Sequence, residues 1–343
     1  MKKLILWARL GLYFFVLSSP VYGQERVVAA YGGTSGQQAP LWLAHDLSFF
    51  KKHGIYVEPT LIRGGSIRTA AISAGEVQFG VDSGVSPVTS AIAGAEVVII
   101  ATYYNKHPWS FAVRPGIRSP QELAGKKIGV LSLGASNHMA VVTALRHWGI
   151  DERSVTILRA GGTAERLAAL QTGMIDATVL IAPETQRARK AGIPILLELA
   201  ELREGFPTIS IVTTKKFLAN KRDVAKQFLK GISEGVYVFK TDRERSLKAL
   251  AKWMRTSDTE VLEDTYQSHA SNVSFPPFTD LSGIRAVIDF LGRSRPEAAR
   301  RSPQEFVDEK ILKELEAEGF LMRSEKDGRL ERRVLWEDRK LGI

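Results

Sequence analysis

Apolar and polar positions change period repeatedly along this chain, and the alternation predicts an α/β protein. Residues 27–30 form a short apolar run of strand type, followed by the polar, glycine-rich stretch 31–38. From 39 to 53 the pattern is helical, with Pro40 suited to a first turn and Gly54 to a C-cap. Residues 55–58, 77–81 and 97–101 read as further strands. Between them Ser66 and Ser86 stand where they can cap short helices, one ending at Gly75 and the other carrying Pro87 at its start.

The succession then returns. Strand 127–131, loop 132–135 and helix 136–148 precede strand 155–158, a helix capped by Thr163, strand 175–180, a helix opened by Pro183 and strand 195–199. Gly54-Ile55 lines up with Gly149-Ile150, Gly64-Gly65-Ser66 with Gly161-Gly162-Thr163, and Gly75 with Gly173. Ser86-Pro87 matches Ala182-Pro183, and Ala93-Gly94 matches Ala191-Gly192, all at offsets of 95 to 98. Glycines end helices in any α/β chain, but common order and spacing point to a duplicated lobe. The expected fold is two similar lobes of mainly parallel sheet flanked by helices.

Segments 109–114 and 208–213 are β-rich and follow Pro108 and Pro207; they read as paired crossing strands that form a hinge. Beyond them the pattern turns helical. Val224, Phe228, Ile232, Val236 and Phe239 mark a helix over 223–240, and 246–254, 281–291 and 311–318 follow, expected to pack on the first lobe. The implied division is lobe 1 over 24–107 and 208–320, lobe 2 over 108–207, and a charged tail over 321–343.

The first 23 residues stand apart. Lys2, Lys3 and Arg9 precede an apolar run and the small-residue end Val21, Tyr22 and Gly23, the order of a secretory signal peptide cleaved after Gly23. A membrane anchor is the weaker alternative, because the run is well short of the ~20 residues that span a bilayer. The expected location is the periplasm. The 343 residues include no cysteine, which removes a lipid-modified cysteine, disulfides, thiol nucleophiles and cysteine metal sites together. The net charge of +10 includes three basic residues of the leader, and the remaining excess is scattered. No nucleic-acid motif accompanies it.

In parallel sheets, ligands gather where strand ends lead into helix starts. This chain puts glycine and hydroxyl residues there repeatedly. Ser35, Gly65, Ser66, Asp82 and Ser83 are the candidates in the first lobe, and Ser136, Asn137, Thr163 and Glu184 in the second. Glycine permits close backbone approach, and unpaired N–H groups at helix starts attract negative charge. Some of these hydroxyls are expected to be caps only. Of the aromatics Tyr31, Tyr103, Tyr104, Trp109 and Phe206, Trp109 stands out because it lies at the hinge.

Signs of catalysis are few. His45, His53, His107, His138, His147 and His269 show no metal-ligand spacing, and of these only His138 lies one turn into a helix beside the expected pocket. Asp82 and Glu184 fit an acid–base pair, but as equivalent positions of two lobes they fit ligand gripping equally well. No phosphate loop, dinucleotide fingerprint or nucleophile elbow is present, and no cofactor is expected.

Several stretches resemble the nitrate/sulfonate/taurine-type substrate-binding proteins of ABC transporters, relatives of the NMT1/THI5-like proteins. They are Ala39-Pro40-Leu41-Trp42-Leu43-Ala44, Phe49 to Glu58, Ser73 to Gly80, Ser119 to Val130, and Phe306-Val307-Asp308 with 312–320. The resemblance implies a type II periplasmic-binding-protein fold, a small anionic or heteroaromatic ligand between the lobes, and delivery to a permease with its ATPase. It further implies a monomer, no nucleic-acid partner and no enzymatic activity, with Ser35, Gly65, Ser83, Ser136, Thr163 and Glu184 facing the ligand. A sensory input module is the alternative. An enzyme of the THI5 type would need a cysteine-bearing motif that this chain lacks.

Overall fold

The computed structural model describes residues 24–321 and the short strands 325–326 and 329–330. The predicted leader and most of the charged tail lie outside the described residues. The chain runs β1 (Glu25–Tyr31), α1 (Ala39–Asp46), α2 (Phe49–Lys52), β2 (Ile55–Leu61), α3 (Gly65–Ala74), β3 (Phe79–Asp82), α4 (Val85–Ile92) and β4 (Val97–Tyr104). It continues through β5 (Ser110–Val113), β6 (Lys127–Val130), α5 (Ser136–His147), β7 (Thr156–Arg159), α6 (Thr163–Gln171), β8 (Ala177–Leu180), α7 (Glu184–Lys190) and β9 (Ile195–Glu198). After β10 (Ile209–Thr214) come α8 (Lys215–Asn220), α9 (Arg222–Thr241), α10 (Arg243–Met254), α11 (Thr259–Ala270), α12 (Leu281–Gly292), α13 (Pro296–Ala299) and α14 (Lys310–Ala317). A hairpin of β11 (Glu325–Lys326) and β12 (Arg329–Leu330) follows.

The two lobes have the same sheet plan. One is ordered β2-β1-β3-β10-β4 and the other β7-β6-β8-β5-β9. In each, three strands are parallel, and the fourth runs antiparallel to both of its neighbours. That fourth strand is exchanged between the halves. β5 enters the second sheet straight after the first crossing, and β10 enters the first sheet straight after the return.

This corrects one expectation. Segments 110–113 and 209–214 do not pair with each other, because each is a ladder strand of a different sheet. The crossing chains meet just outside them. Phe206 N donates to Asn105 O at 2.9 Å, Thr208 N to Tyr104 O at 2.9 Å and Leu199 N to Trp109 O at 2.9 Å.

The helix expected over 39–53 is broken. Ser48 adopts a left-handed conformation (φ 59°), so α1 ends and α2 restarts at a new angle. The restart sets Phe50 against Phe228 of α9, ring centroids 5.1 Å apart, and Phe79 stacks on Phe228 at 3.9 Å. α9 is the spine of the first lobe, packed on α1, α2, α10 and α14. Its apolar positions recur at helical spacing, and Phe228, Ile232, Val236 and Phe239 are fully buried. α1 and α9 cross closely at Gly235, where an added Cβ would run into the Pro40 carbonyl.

β4 would be an exposed edge, but the closing segment covers it. Val307 bridges Ile99, and Asp308 N donates to Ile99 O at 2.8 Å. α12 packs on α4 and also reaches across to α5, where His138 meets Phe290 edge-on at 5.4 Å. Hence α12 touches both lobes, beyond the expected packing on the first alone. α11, which the apolar spacing did not reveal, is begun by Asp258, whose carboxylate accepts from Glu260 N and Val261 N.

Candidate functional site

Register fixes where the strand-end loops lie. Tyr31 stands beside Leu61 and Val81, so the loops after β1, β2 and β3 leave one sheet edge together. Val130 stands beside Arg159, and Gly129 beside Thr178, which does the same for β6, β7 and β8. Ser35, Gly65, Ser66, Asp82 and Ser83 therefore gather along the first edge, and Ser136, Asn137, Thr163 and Glu184 along the second.

The helices that start at these edges lack side-chain caps, as do α9, α13 and α14 elsewhere. α3, α4, α5 and α6 have no side-chain capping bond, and their N-caps are Gly64, Gly84, Ala135 and Gly162. α8, α10, α11 and α12 are capped by Thr214, Asp242, Asp258 and Asp280. Ser66, Ser86 and Thr163 were expected as caps, but each helix starts earlier, on or after a glycine, and the hydroxyl falls inside it. Gly65 also serves packing: an added Cβ would overlap Ser86 Oγ, so its absence lets α3 and α4 begin side by side. Uncapped helix starts leave backbone N–H groups free for another acceptor.

Beneath each edge lies a buried arginine that the sequence reading missed. Arg68 of α3 pairs with Asp82 and donates to Ile62 O. Arg166 of α6 donates from Nε to Thr178 Oγ1 at 3.0 Å, from Nη1 to Gly161 O at 2.9 Å and from Nη2 to Val179 O at 3.0 Å. Burial pulls both guanidinium groups down to about 10, with Glu165 and Glu184 partly offsetting this at Arg166. The offset of 98 that aligned the glycines also aligns these arginines, and that was the available signal.

The other predicted residues are placed as follows. Ser83 Oγ accepts from Val85 N at 3.3 Å, and Ser35 and Ser136 make no capping bond. Asn137 is buried with Oδ1 unpartnered, and Glu184 pairs with Arg187 at 3.1 Å. With Asp82 held by Arg68 and Glu184 by Arg187, neither carboxylate is poised to exchange a proton with the other. His138 Nδ1 accepts from Gly134 N at 2.9 Å, tying the loop after β6 to its own helix.

Where the lobes meet beside the crossing segments, they enclose a cavity of about 290 Å³. Tyr104, His107, Trp109 and Ser110 line it from the crossing chain, Ala182, Thr185, Gln186 and Arg189 from α7 and the turn before it, and His269 and Asn272 from the end of α11. Trp109 packs edge-on against Phe206 at 5.2 Å, and Phe206 stacks on His107 at 4.3 Å. Of the predicted set, Trp109 alone lines this cavity.

Its wall is unusual in one respect. Both ring nitrogens of His107 and of His269, Thr185 Oγ1 and Gln186 Oε1 are buried without a protein hydrogen-bond partner. Burial drives the His107 imidazole down to about 3, helped by Arg146, and His269 down to about 4, so both rings are neutral. Gln186 Nε2 donates to Ser268 Oγ at 2.8 Å, a direct link between the lobes. A larger cavity of about 470 Å³ lies between α5 and α12, but its charged groups pair among themselves: Glu152 with Arg293 and His138, and Arg146 with Glu204. The smaller cavity is the one lined from both lobes and by the crossing segments together.

Among the described residues no group of three or more His, Cys, Asp or Glu side chains is placed to hold a metal ion, and no helix is long and apolar enough to cross a membrane.

Known proteins share this architecture. The taurine-binding periplasmic protein of Escherichia coli is 31% identical over 209 residues, covering 60% of this chain and 63% of that protein. A solved structure from Bordetella bronchiseptica matches with a TM-score of 0.73 at 21% identity, over 87% of this chain and 98% of the other. The periplasmic aliphatic sulphonate binding protein SsuA of Escherichia coli matches at 0.69 and 18% identity, over 82% and 97%. The fold is that of the periplasmic binding proteins. The NMT1/THI5-like family model matches residues 35–245, more than half of the chain, and the protein belongs to that family.

Proposed function

We propose that this protein is an extracytoplasmic solute-binding protein of an ABC uptake transporter, which captures a small molecule between its lobes and delivers it to the permease. The observation that carries this reading is the cavity of about 290 Å³ beside the crossing segments, lined from both lobes by residues that include Trp109, Ser110, Gln186 and Asn272. Separately, the uncapped helix starts along both strand edges carry backbone N–H groups free for an acceptor. The taurine-binding and sulphonate-binding relatives lend support by their names.

Capture then works by population shift. Contacts made to both lobes at once favour the closed state, and the two crossing segments are the places where the chain bends. The ligand class is a small anionic or heteroaromatic molecule. Binding rather than turnover fits the wall, because its histidines are unpaired with any carboxylate and the chain has no cysteine nucleophile.

A thermal-shift screen against sulfonates, carboxylates, nitrate and pyrimidines tests this, followed by small-angle scattering with and without the hit. Stabilisation with a fall in radius of gyration is expected. No stabilisation by any member of the screen, or chemical conversion of a bound compound, sinks the reading.

A further inference from the structure

We propose that His138 is a positioning residue for capture: its neutral ring clamps the loop over 132–135, and with it the start of α5 at the second strand edge, and protonation of the ring opens the clamp. The inference rests on the capture reading and adds to it a residue that acts on the ligand through the loop it holds.

α5 begins without a side-chain cap, its N-cap being Ala135. His138, the third residue of the helix, instead reaches back over the first turn, and its Nδ1 accepts from Gly134 N at 2.9 Å. In a capping box a glutamate or glutamine at this position reaches back in a similar way. Gly134 has a φ of 79°, so the loop turns there through a left-handed conformation that favours glycine. Fixing the Gly134 amide therefore fixes the turn, and with it the direction in which the first N–H groups of α5 leave the strand edge.

The ring that does this is itself held from other sides. Nε2 faces Glu152 Oε1 at 3.5 Å, the Phe290 ring of α12 meets it edge-on at 5.4 Å, and the side chain is only 13% exposed. Glu152 pairs in turn with Arg293 at the end of α12. α12 also packs on α4, so the series Gly134, His138, Glu152 and Arg293 ties a strand-end loop of the second lobe to a helix packed on the first.

A ring nitrogen that accepts carries no proton, so the neutral ring bears its hydrogen on Nε2, toward Glu152. Protonation at Nδ1 replaces the acceptor by a donor facing the Gly134 N–H, and the bond is lost. Burial is the largest influence on the ring and lowers its value; Glu152 works against this and Arg293 with it. Asp151 and Asp289 line the cavity between α5 and α12 alongside them. The clamp is therefore closed at neutral pH and opens as pH falls below the ordinary 6.5.

Nitrogen-15 NMR of the Gly134 amide tests this, together with calorimetric affinity for taurine, nitrate and 4-aminopyrimidine, in the parent, His138→Phe and His138→Gln. In the parent the amide is expected to be protected from exchange, and its shift to follow the titration of the His138 ring between pH 7.5 and 5. Phenylalanine keeps a ring against Phe290 but cannot accept. Gly134 exchange should quicken in that variant, and affinity for whichever probe binds should fall about fivefold, the worth of one hydrogen bond. Glutamine can accept from Gly134 N, so both readouts should stay near the parent while the pH dependence of the Gly134 shift disappears. Parent-like affinity in a folded His138→Phe, or glutamine no better than phenylalanine, overturns the inference and leaves capture standing. So does a parent Gly134 shift that ignores the ring, a readout that needs no variant to fold. Binding of none of the three probes by the parent removes capture and this inference with it.

Discussion

Arg166 and Thr178 are joined by a 3.0 Å hydrogen bond from Nε to Oγ1, and that bond locks α6 onto β8 beneath the second strand edge. Thr178 passes the connection on, donating to Gly129 O of β6 at 2.9 Å. Arg68 takes the corresponding place in the first lobe but is met by the Asp82 carboxylate. Duplication has thus kept a buried guanidinium under each set of loops while changing its counter-charge. A buried cation is tolerated when its donors are met, and the Arg166 donors are met by a hydroxyl and two carbonyls.

Replacing Arg166 by methionine is therefore expected to destabilise the protein by ~2–4 kcal/mol, read from urea unfolding at neutral pH. The Gly161 and Val179 carbonyls lose their partner, and methionine fills the volume without replacing the bonds. Ligand affinity should fall as well, because the Gly161 loop and Thr163 are positioned by the same side chain. A variant within ~0.5 kcal/mol of the parent would show that relaxation or water meets these carbonyls instead.

Much of this architecture was legible because duplication writes itself into spacing. The offsets of Gly54, Gly64 and Gly75 against Gly149, Gly161 and Gly173 correspond to left-handed glycines in both lobes. What spacing could not carry was non-local. The exchange of β5 and β10 between sheets is set by which edge each strand meets after the crossing, and no local pattern records it. The break at Ser48 is a tertiary effect, since Phe50 gains the Phe228 stack. His107 and His269 read as ordinary polar residues because they lie 162 positions apart in the chain, and only folding puts them on one cavity wall.

Those two histidines should make the protein sensitive to acid. Their folded values, about 3 and about 4, lie below the ordinary 6.5, so the unfolded chain takes up protons first as pH falls. Stability is fully present above pH 6.5 and is lost as pH drops toward about 4 for His269 and about 3 for His107. At 1.4 kcal/mol per unit, each ring accounts for up to ~3 kcal/mol between pH 6.5 and 4. Urea midpoints at pH 7, 5 and 4 measure the slope, and His269→Phe is expected to flatten it. An unchanged slope in that variant would mean the ring is already charged or exposed in the folded state.

Ser83 and Ser136 separate capping from recognition. Ser136 makes no capping bond and Ser83 only a long one to Val85 N, so alanine at either position should move stability by less than ~0.5 kcal/mol. A true cap loses about 1 kcal/mol on the same change, as Asp258→Ala at the start of α11 should show. If the strand-end hydroxyls face the ligand, affinity for the best hit of the thermal-shift screen should fall severalfold in Ser83→Ala and Ser136→Ala while melting temperatures hold. Affinity unchanged in both variants would take these two hydroxyls out of recognition. The helix starts at the edges would then contribute through their backbone N–H groups alone.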